Sequence, residues 1–300
     1  MNPISKPFDL VIPVGGKDCF LLRRNLKILM QNLKPEKIYV ITKRNYFIYF
    51  INLGGHVELI DEDQLIDQVN FKKITTYLLN VGLDKKITGW YLQQFLKMGF
   101  ALSVYATKKY YLSWDADTIP LKEIKFFDGG GKPYFTMKDE YHTPYFDTIK
   151  KIFNLEKKVK ESFISENMIF DVEMMKEIIS KIQNSDLNGE NWCEKIINSV
   201  LTNDKNGFSE FETYGTYVLN HYPQKYTLRT LNSFRECGKQ YSRILISKHF
   251  KKLSQKYIII SLENKNRPKT LEGVLDWLEK GSVFIINKIL NYNSYFSNLK

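Results

Sequence analysis

Lys108-Lys109-Tyr110-Tyr111-Leu112-Ser113-Trp114-Asp115-Ala116-Asp117-Thr118-Ile119-Pro120-Leu121 is the stretch on which the fold turns. Its first half is apolar and rich in β-formers, which predicts a buried strand. The strand stops at two carboxylates, and Pro120 follows closely enough to end pairing. Residues two apart on extended backbone point to the same side, about 6–7 Å apart at Cα. Asp115 and Asp117 are therefore expected to face one object just beyond the strand's carboxyl end, where open α/β sheets bind ligands. Two carboxylates there repel each other unless a cation or a set of donors lies between them. A divalent metal bridging to a substrate diphosphate is the natural occupant. Asp-x-Asp also arises by chance on solvated loops; the apolar strand in front of it separates the two readings.

Working upstream, Phe8–Val14 reads as a short apolar strand and Gly15-Gly16-Lys17-Asp18 as a turn that lets backbone approach a ligand. Leu21–Leu33 carries leucines at helical spacing, Lys37–Thr42 is a second strand and His56–Asp61 a third. Strand–helix–strand alternation with short connections predicts an α/β fold with a mostly parallel, doubly wound sheet. No Gly-x-Gly-x-x-Gly or Walker spacing is present, which disfavours a dinucleotide fold or a P-loop NTPase. Val14, Gly15, Lys17, Asp18, Thr42 and Asp61 fall at the presumed ligand end of the strands, where ordinary turn residues also gather. Residues 62–88 are polar, and predict a helix plus a loop. Gly89–Leu102 is a helix in which Trp90, Gln94 and Lys97 share a face. That face either meets an incoming diphosphate with an amide and an ammonium or is simply solvated.

Downstream, Gly129-Gly130-Gly131-Lys132-Pro133 is a flexible turn before the strand Tyr134–Met137. Glu140–Phe146 is aromatic and polar, and fits a platform for the apolar face of a sugar ring or a packed loop equally well. A lysine-rich helix is expected over 147–160. Ser162–Asp171 reads as a strand with Ser165, Glu166 and Asn167 at its centre, a conflict with simple burial of the kind found at sites. Ser209 and Glu212 form a capping-box pattern at the start of a helix.

The bulk properties bound the rest. Three hundred residues, 43% of them hydrophobic and 14% aromatic, suffice for one large domain or a core with an appendage. No apolar run approaches the ~18–20 residues of a membrane span, and the start lacks a secretory pattern. Cys19, Cys193 and Cys237 are far apart and without metal-ligand spacing, so a reduced, cytoplasmic setting is expected. The net charge of +11 raises nucleic acid as a partner. No nucleic-acid motif supports it, and a phosphorylated substrate or an anionic membrane surface explains the charge as well. Thr270–Glu279 is expected to be helical, and Val283–Lys300 to pack on the core or rest on a membrane.

The Val11-Ile12-Pro13-Val14-x-x-x-Asp18 opening, Gly89-Trp90-Tyr91-Leu92-Gln93-Gln94-x-x-Lys97 and the Asp115-x-Asp117 strand together resemble bacterial GT-A-type glycosyltransferases. More narrowly, they are similar to DUF6492, a family of unknown function. The resemblance spans about residues 8–230. It implies a GT-A, Rossmann-like nucleotide-diphospho-sugar transferase fold over 1–230, with 231–300 as a C-terminal extension. It implies Mn²⁺ or Mg²⁺ on Asp115 and Asp117, with His221 as a third ligand, and Asp115 also near the ribose. The nucleotide would lie along Val14–Asp18. An acidic residue at a helix start about 95 residues after Asp-x-Asp matches the catalytic base of inverting members, which makes Glu210 the first choice and Glu212 the second, with Glu166 of the Ser-Glu-Asn segment third. The expected activity is transfer from a nucleotide sugar, first a UDP-sugar, to a lipopolysaccharide, capsular or similar glycan or glycolipid, with inversion preferred. Two rivals stand beside it: a nucleotidyltransferase of similar fold, and a non-catalytic basic module that binds anionic polymer or membrane.

Overall fold

A computed structural model describes residues 6–200, 206–241, 243, 245 and 247–263. Its elements run β1 (Phe8–Pro13), α1 (Gly16–Leu33), β2 (Ile38–Thr42), β3 (Val57–Asp61), α2 (Phe71–Asn80), α3 (Thr88–Gly99), β4 (Tyr110–Trp114) and β5 (Thr118–Pro120). Then follow β6 (Tyr134–Met137), α4 (Thr143–Phe153), β7 (Asn167–Asp171), α5 (Val172–Gln183), α6 (Trp192–Ser199) and α7 (Glu210–His221). β8 (Thr227–Thr230), β9 (Ser233–Phe234), α8 (Cys237–Tyr241), α9 (Ser247–Lys256) and β10 (Ile259–Ser261) close the described chain.

The central sheet has the order β3-β2-β1-β4-β7. Four strands are parallel, and β7 runs antiparallel to β4. This is the α/β architecture with a mostly parallel sheet that the alternating pattern predicts. Every residue of β1, β2, β4 and β7 is buried, as expected of strands covered on both faces. The strand order reverses beside β1, so the carboxyl ends of β1 and β4 flank the crevice where such sheets take ligands. The antiparallel β7 matters to that crevice. Asn167 pairs with Trp114 and Asp171 with Tyr110, so the residues that precede β7 arrive at the same end as Asp115.

Several boundaries differ from the sequence reading. The Gly15–Asp18 turn is mostly the first turn of α1, with Gly15 as N-cap in an ordinary extended conformation, φ −83°. A strand over 162–171 starts only at Asn167, because Glu166 turns into the left-handed region at φ 58°. α4 begins at Thr143, with Pro144 in its first turn, and takes in half of the aromatic segment. Beyond residue 230, β10 pairs with β5 and β9 with β10 in a second small sheet. Leu21, Ile119, Cys237, Leu253, Ile260 and Leu262 form a separate apolar cluster that ties this segment to α1. The expected helix Thr270–Glu279 and the tail Val283–Lys300 lie outside the described residues. No helix among the described residues is long and apolar enough to cross a membrane.

Candidate active site

β4 ends in a tight turn that presents the two aspartates between two sheets. The Asp115 N–H donates to the Glu166 carbonyl at 3.0 Å, and the Thr118 N–H donates to the Asp115 carbonyl at 3.0 Å. On the far side of the turn, the Leu262 N–H donates to the Asp117 carbonyl at 2.9 Å. Both neighbours of the tip are therefore long-range: β7's approach and the end of β10.

Beneath the tip lies Lys97, 2% exposed. Its Nζ donates to Asp115 Oδ1 at 2.6 Å and to Glu210 Oε1 at 2.8 Å. Burial alone lowers a lysine's pKa, but Asp115 and Glu210 outweigh it and hold the ammonium charged, above its ordinary value. Burial raises the Glu210 carboxyl, and Lys97 opposes that rise. So the helix face expected to meet solvent or a diphosphate is instead the inner face of α3. Gln94 is a correction of the same kind. Its Oε1 accepts from the Glu210 N–H at 3.1 Å and its Nε2 donates to the Trp90 carbonyl at 3.2 Å. The amide positions the start of α7 and, at 3% exposed, lies beneath the surface.

Of the other two glutamates, Glu212 is fully buried and accepts from the Phe163 N–H at 2.8 Å and from the Ser162 hydroxyl. The Ser209 cap holds the Glu212 N–H at 3.3 Å. Glu212 is thus a buried anchor for the 162–163 backbone, which corrects its candidacy as a base. Glu166, 2% exposed, has Lys138 Nζ at 3.3 Å and Arg235 Nε at 3.5 Å. Burial raises its pKa against the pull of those two cations. Arg235 also clamps Glu140 at 2.7 and 2.9 Å and Glu263 at 2.6 Å, so it joins the aromatic segment to the end of β10.

On the β1 side, the Arg243 guanidinium pairs with Asp18 and donates to the Lys17 carbonyl at 3.0 Å. Lys17 and Gly15 are exposed. Burial, with the charges of Asp115, Asp18 and Glu263, pushes the Asp117 carboxyl up to about 7, and Arg243 opposes them. No side-chain partner engages Asp117 among the described residues, so its oxygens are left for something else. Val14 and Thr42 are backbone architecture: the buried Thr42 hydroxyl donates to the Val14 carbonyl at 2.7 Å. Asp61 accepts from the Asp63 N–H at 3.2 Å in a local turn. The buried neighbour Glu62, which the sequence reading passed over, is pushed up to about 7 chiefly by burial.

His221 is a further correction. It sits exposed at the far end of α7 against Tyr217 and Tyr222, about 16 Å along the helix from Glu210. No three His, Cys, Asp or Glu side chains converge on a metal position among the described residues. Arg235, Arg243 and Glu263 were not anticipated. Each is an ordinary charge in an irregular stretch, and no local pattern marks it.

The chain belongs to DUF6492, a family of unknown function, which it matches over residues 16–241. No curated protein matches it. Among solved structures, it is similar to mouse xyloside xylosyltransferase 1 at 10% identity and TM-score 0.44, over 88% of this chain and 99% of that one. The galactosyltransferase LgtC with donor and acceptor sugar analogues matches at 12% and 0.41, over 91% and 94%. The mannosyltransferase Ktr4p of S. cerevisiae matches at 9% and 0.46, over 76% and 74%. At such identities and TM-scores, nothing about chemistry passes from these proteins to this chain.

Proposed function

We propose that this protein is a metal-dependent glycosyltransferase of GT-A type, moving a sugar from a nucleotide-sugar donor, a UDP-sugar first among them, to a glycan or glycolipid hydroxyl. One observation carries the reading. At the carboxyl end of β4, Asp115 is fixed through Lys97 to Glu210 while Asp117 stands uncommitted beside it. Burial first, and then the charges of Asp115, Asp18 and Glu263, raise the Asp117 carboxyl to about 7, and a cation between the two aspartates would relieve that repulsion.

The donor set fits Mg²⁺ or Mn²⁺. Such ions take one or two carboxylates and complete their shell with water and substrate phosphate oxygens, so a third protein ligand is not needed. The bound ion would supply charge neutralisation for the departing nucleoside diphosphate. In this reading, Lys97 keeps Asp115 aimed and Arg243 adds a second positive charge beside the phosphates. Glu210 is the base. Lys97 opposes the rise that burial imposes on its carboxyl, and Glu210 takes the acceptor hydroxyl's proton as that oxygen bonds to the anomeric carbon and the bond to diphosphate breaks. Attack opposite the leaving group inverts the anomeric centre. The acceptor would lie on the aromatic segment, where Tyr141 is 64% exposed. Tyr145 lies close enough to Glu210 that the carboxylate adds to the rise which burial imposes on the phenol, to about 12. A cytoplasmic location goes with this reading.

A panel of nucleotide sugars, each with and without Mn²⁺, tests it by thermal shift and product analysis. The correct donor at about 100 times its Kd stabilises the fold by roughly 2.7 kcal/mol, and only with metal, and turnover releases nucleoside diphosphate. Release of pyrophosphate transfers the assignment to a nucleotidyltransferase. Indifference to every donor and to metal, unchanged by Asp115→Asn with Asp117→Asn, sinks the enzyme reading.

A further inference from the structure

An open cleft lies at the opposite end of the central sheet, about 17 Å of strand from Asp115, where β4 begins and β7 ends. Lys6, Lys109, Lys132 and Lys225 line it, and Asp171 is the one carboxylate in the lining. The oxygens of Asp171 are already engaged. It is 6% exposed, caps α5 through the Glu173 and Met174 N–H groups at 3.0 and 3.3 Å, and lies 3.9 Å from Lys109 Nζ. The nearby Asp128, which lies beside Lys132, is likewise spent on the Gly130 and Lys132 N–H groups and the Thr227 hydroxyl. Lys6 and Lys109 both reach the Tyr110 ring, at 5.5 and 5.3 Å from its centroid. No ion pair engages Lys6, Lys132 or Lys225 among the described residues. Four ammonium groups drawn round one cleft repel each other and concentrate anions there. Tyr110, Pro133 and Met174 add an apolar wall to the same cleft, suited to the organic part of an ester.

We propose that this cleft binds a phosphate monoester or diester group through Lys6, Lys109, Lys132 and Lys225, independently of the Asp115 site. A phospholipid headgroup and a soluble phosphorylated molecule share that chemistry. The test uses the full chain and a triple variant, Lys109→Ala with Lys132→Ala and Lys225→Ala. A control of equal charge carries Lys27→Ala, Lys85→Ala and Lys86→Ala on other exposed surfaces. Glycerol 3-phosphate and inorganic phosphate are titrated by calorimetry, and phosphatidylglycerol vesicles are compared with phosphatidylcholine vesicles by co-sedimentation. The proposal expects binding by the native chain and the control, with a loss on the order of a hundredfold in the triple variant, since each lysine near an anionic surface contributes about 1 kcal/mol. Loss on phosphatidylglycerol vesicles assigns the group to a lipid, and loss on glycerol 3-phosphate alone to a soluble ester. If no probe binds, or the control loses as much as the triple variant, the cleft is only diffuse positive charge and the proposal fails.

Discussion

Lysine does opposite work at the two ends of the central sheet. At the carboxyl end, Lys97 is buried and donates to two carboxylates within 2.8 Å. At the amino end, Lys109 has a side chain 62% exposed and stands 3.9 Å from its nearest acid. A buried charge is tolerated only with close partners, and losing one partner strands the others. An exposed charge costs nothing to keep and contributes little to stability. One end of the sheet is thus built as a fixed charge network, and the other as an accessible basic surface.

The same substitution at both ends is the sharpest way to break this contrast. Lys97→Ala leaves Glu210 buried without its cation and is expected to cost about 3–5 kcal/mol in urea denaturation. Lys109→Ala should stay within about 0.5 kcal/mol. Pairing Lys97→Met with Glu210→Gln should recover much of the loss, and a strictly additive double variant would show that the two side chains are not coupled. Within the carboxyl end, Glu210→Gln is expected to lower kcat by about 10²–10⁴-fold with donor KM nearly unchanged. Glu212→Gln should instead lose stability, about 1–3 kcal/mol, because its partners Ser162 and Phe163 are buried. Equal kinetic effects would erase the distinction between base and anchor.

Next in size is Gly215→Ala in α7. Alanine normally favours a helix interior, by up to about 1 kcal/mol. Here the new Cβ would stand 2.3 Å from the buried Phe163 ring, so a loss of about 1–3 kcal/mol is expected instead. A gain in melting temperature would mean that Phe163 is not locked by Glu212. The smallest effect is a pH slope. Glu62 is raised from an ordinary 4.5 to about 7, so between those values the folded chain holds a proton that the unfolded chain has lost. Its contribution is therefore present at the acid side and falls away as pH rises through about 7. Metal-free Asp117 contributes with the same sign. Glu62→Gln should flatten part of the slope in urea midpoints measured from about pH 5 to about pH 8; an unchanged slope would place the titration elsewhere.

How much of this was legible depended on range. The apolar run Tyr110–Trp114 and the abrupt change at Asp115 are local contrasts, and they located the strand, its end and the crevice. Glu166 was marked by its clash with an apolar neighbourhood, and the structure finds it buried at φ 58°. Gln94 and Lys97 were placed on one helix face correctly, but helical spacing does not say which way a polar face points. Their partner Glu210 is more than a hundred residues away in sequence. Arg235 and Arg243 had no chance of being read, since an arginine in an irregular stretch looks the same whether it meets water or three carboxylates.

The amino-acid sequence by itself determined the alternation of strands and helices, the parallel sheet that follows from it, and the paired acids at a strand end. These rest on spacing along a few residues, where side-chain period and turn chemistry act without help from distant parts. Only the tertiary structure decided which charges are buried together. Burial and pairing are properties of places where β4, β7, α3, α7 and the segment after residue 230 converge, and the energy of a charge depends on that convergence rather than on its neighbours in the chain.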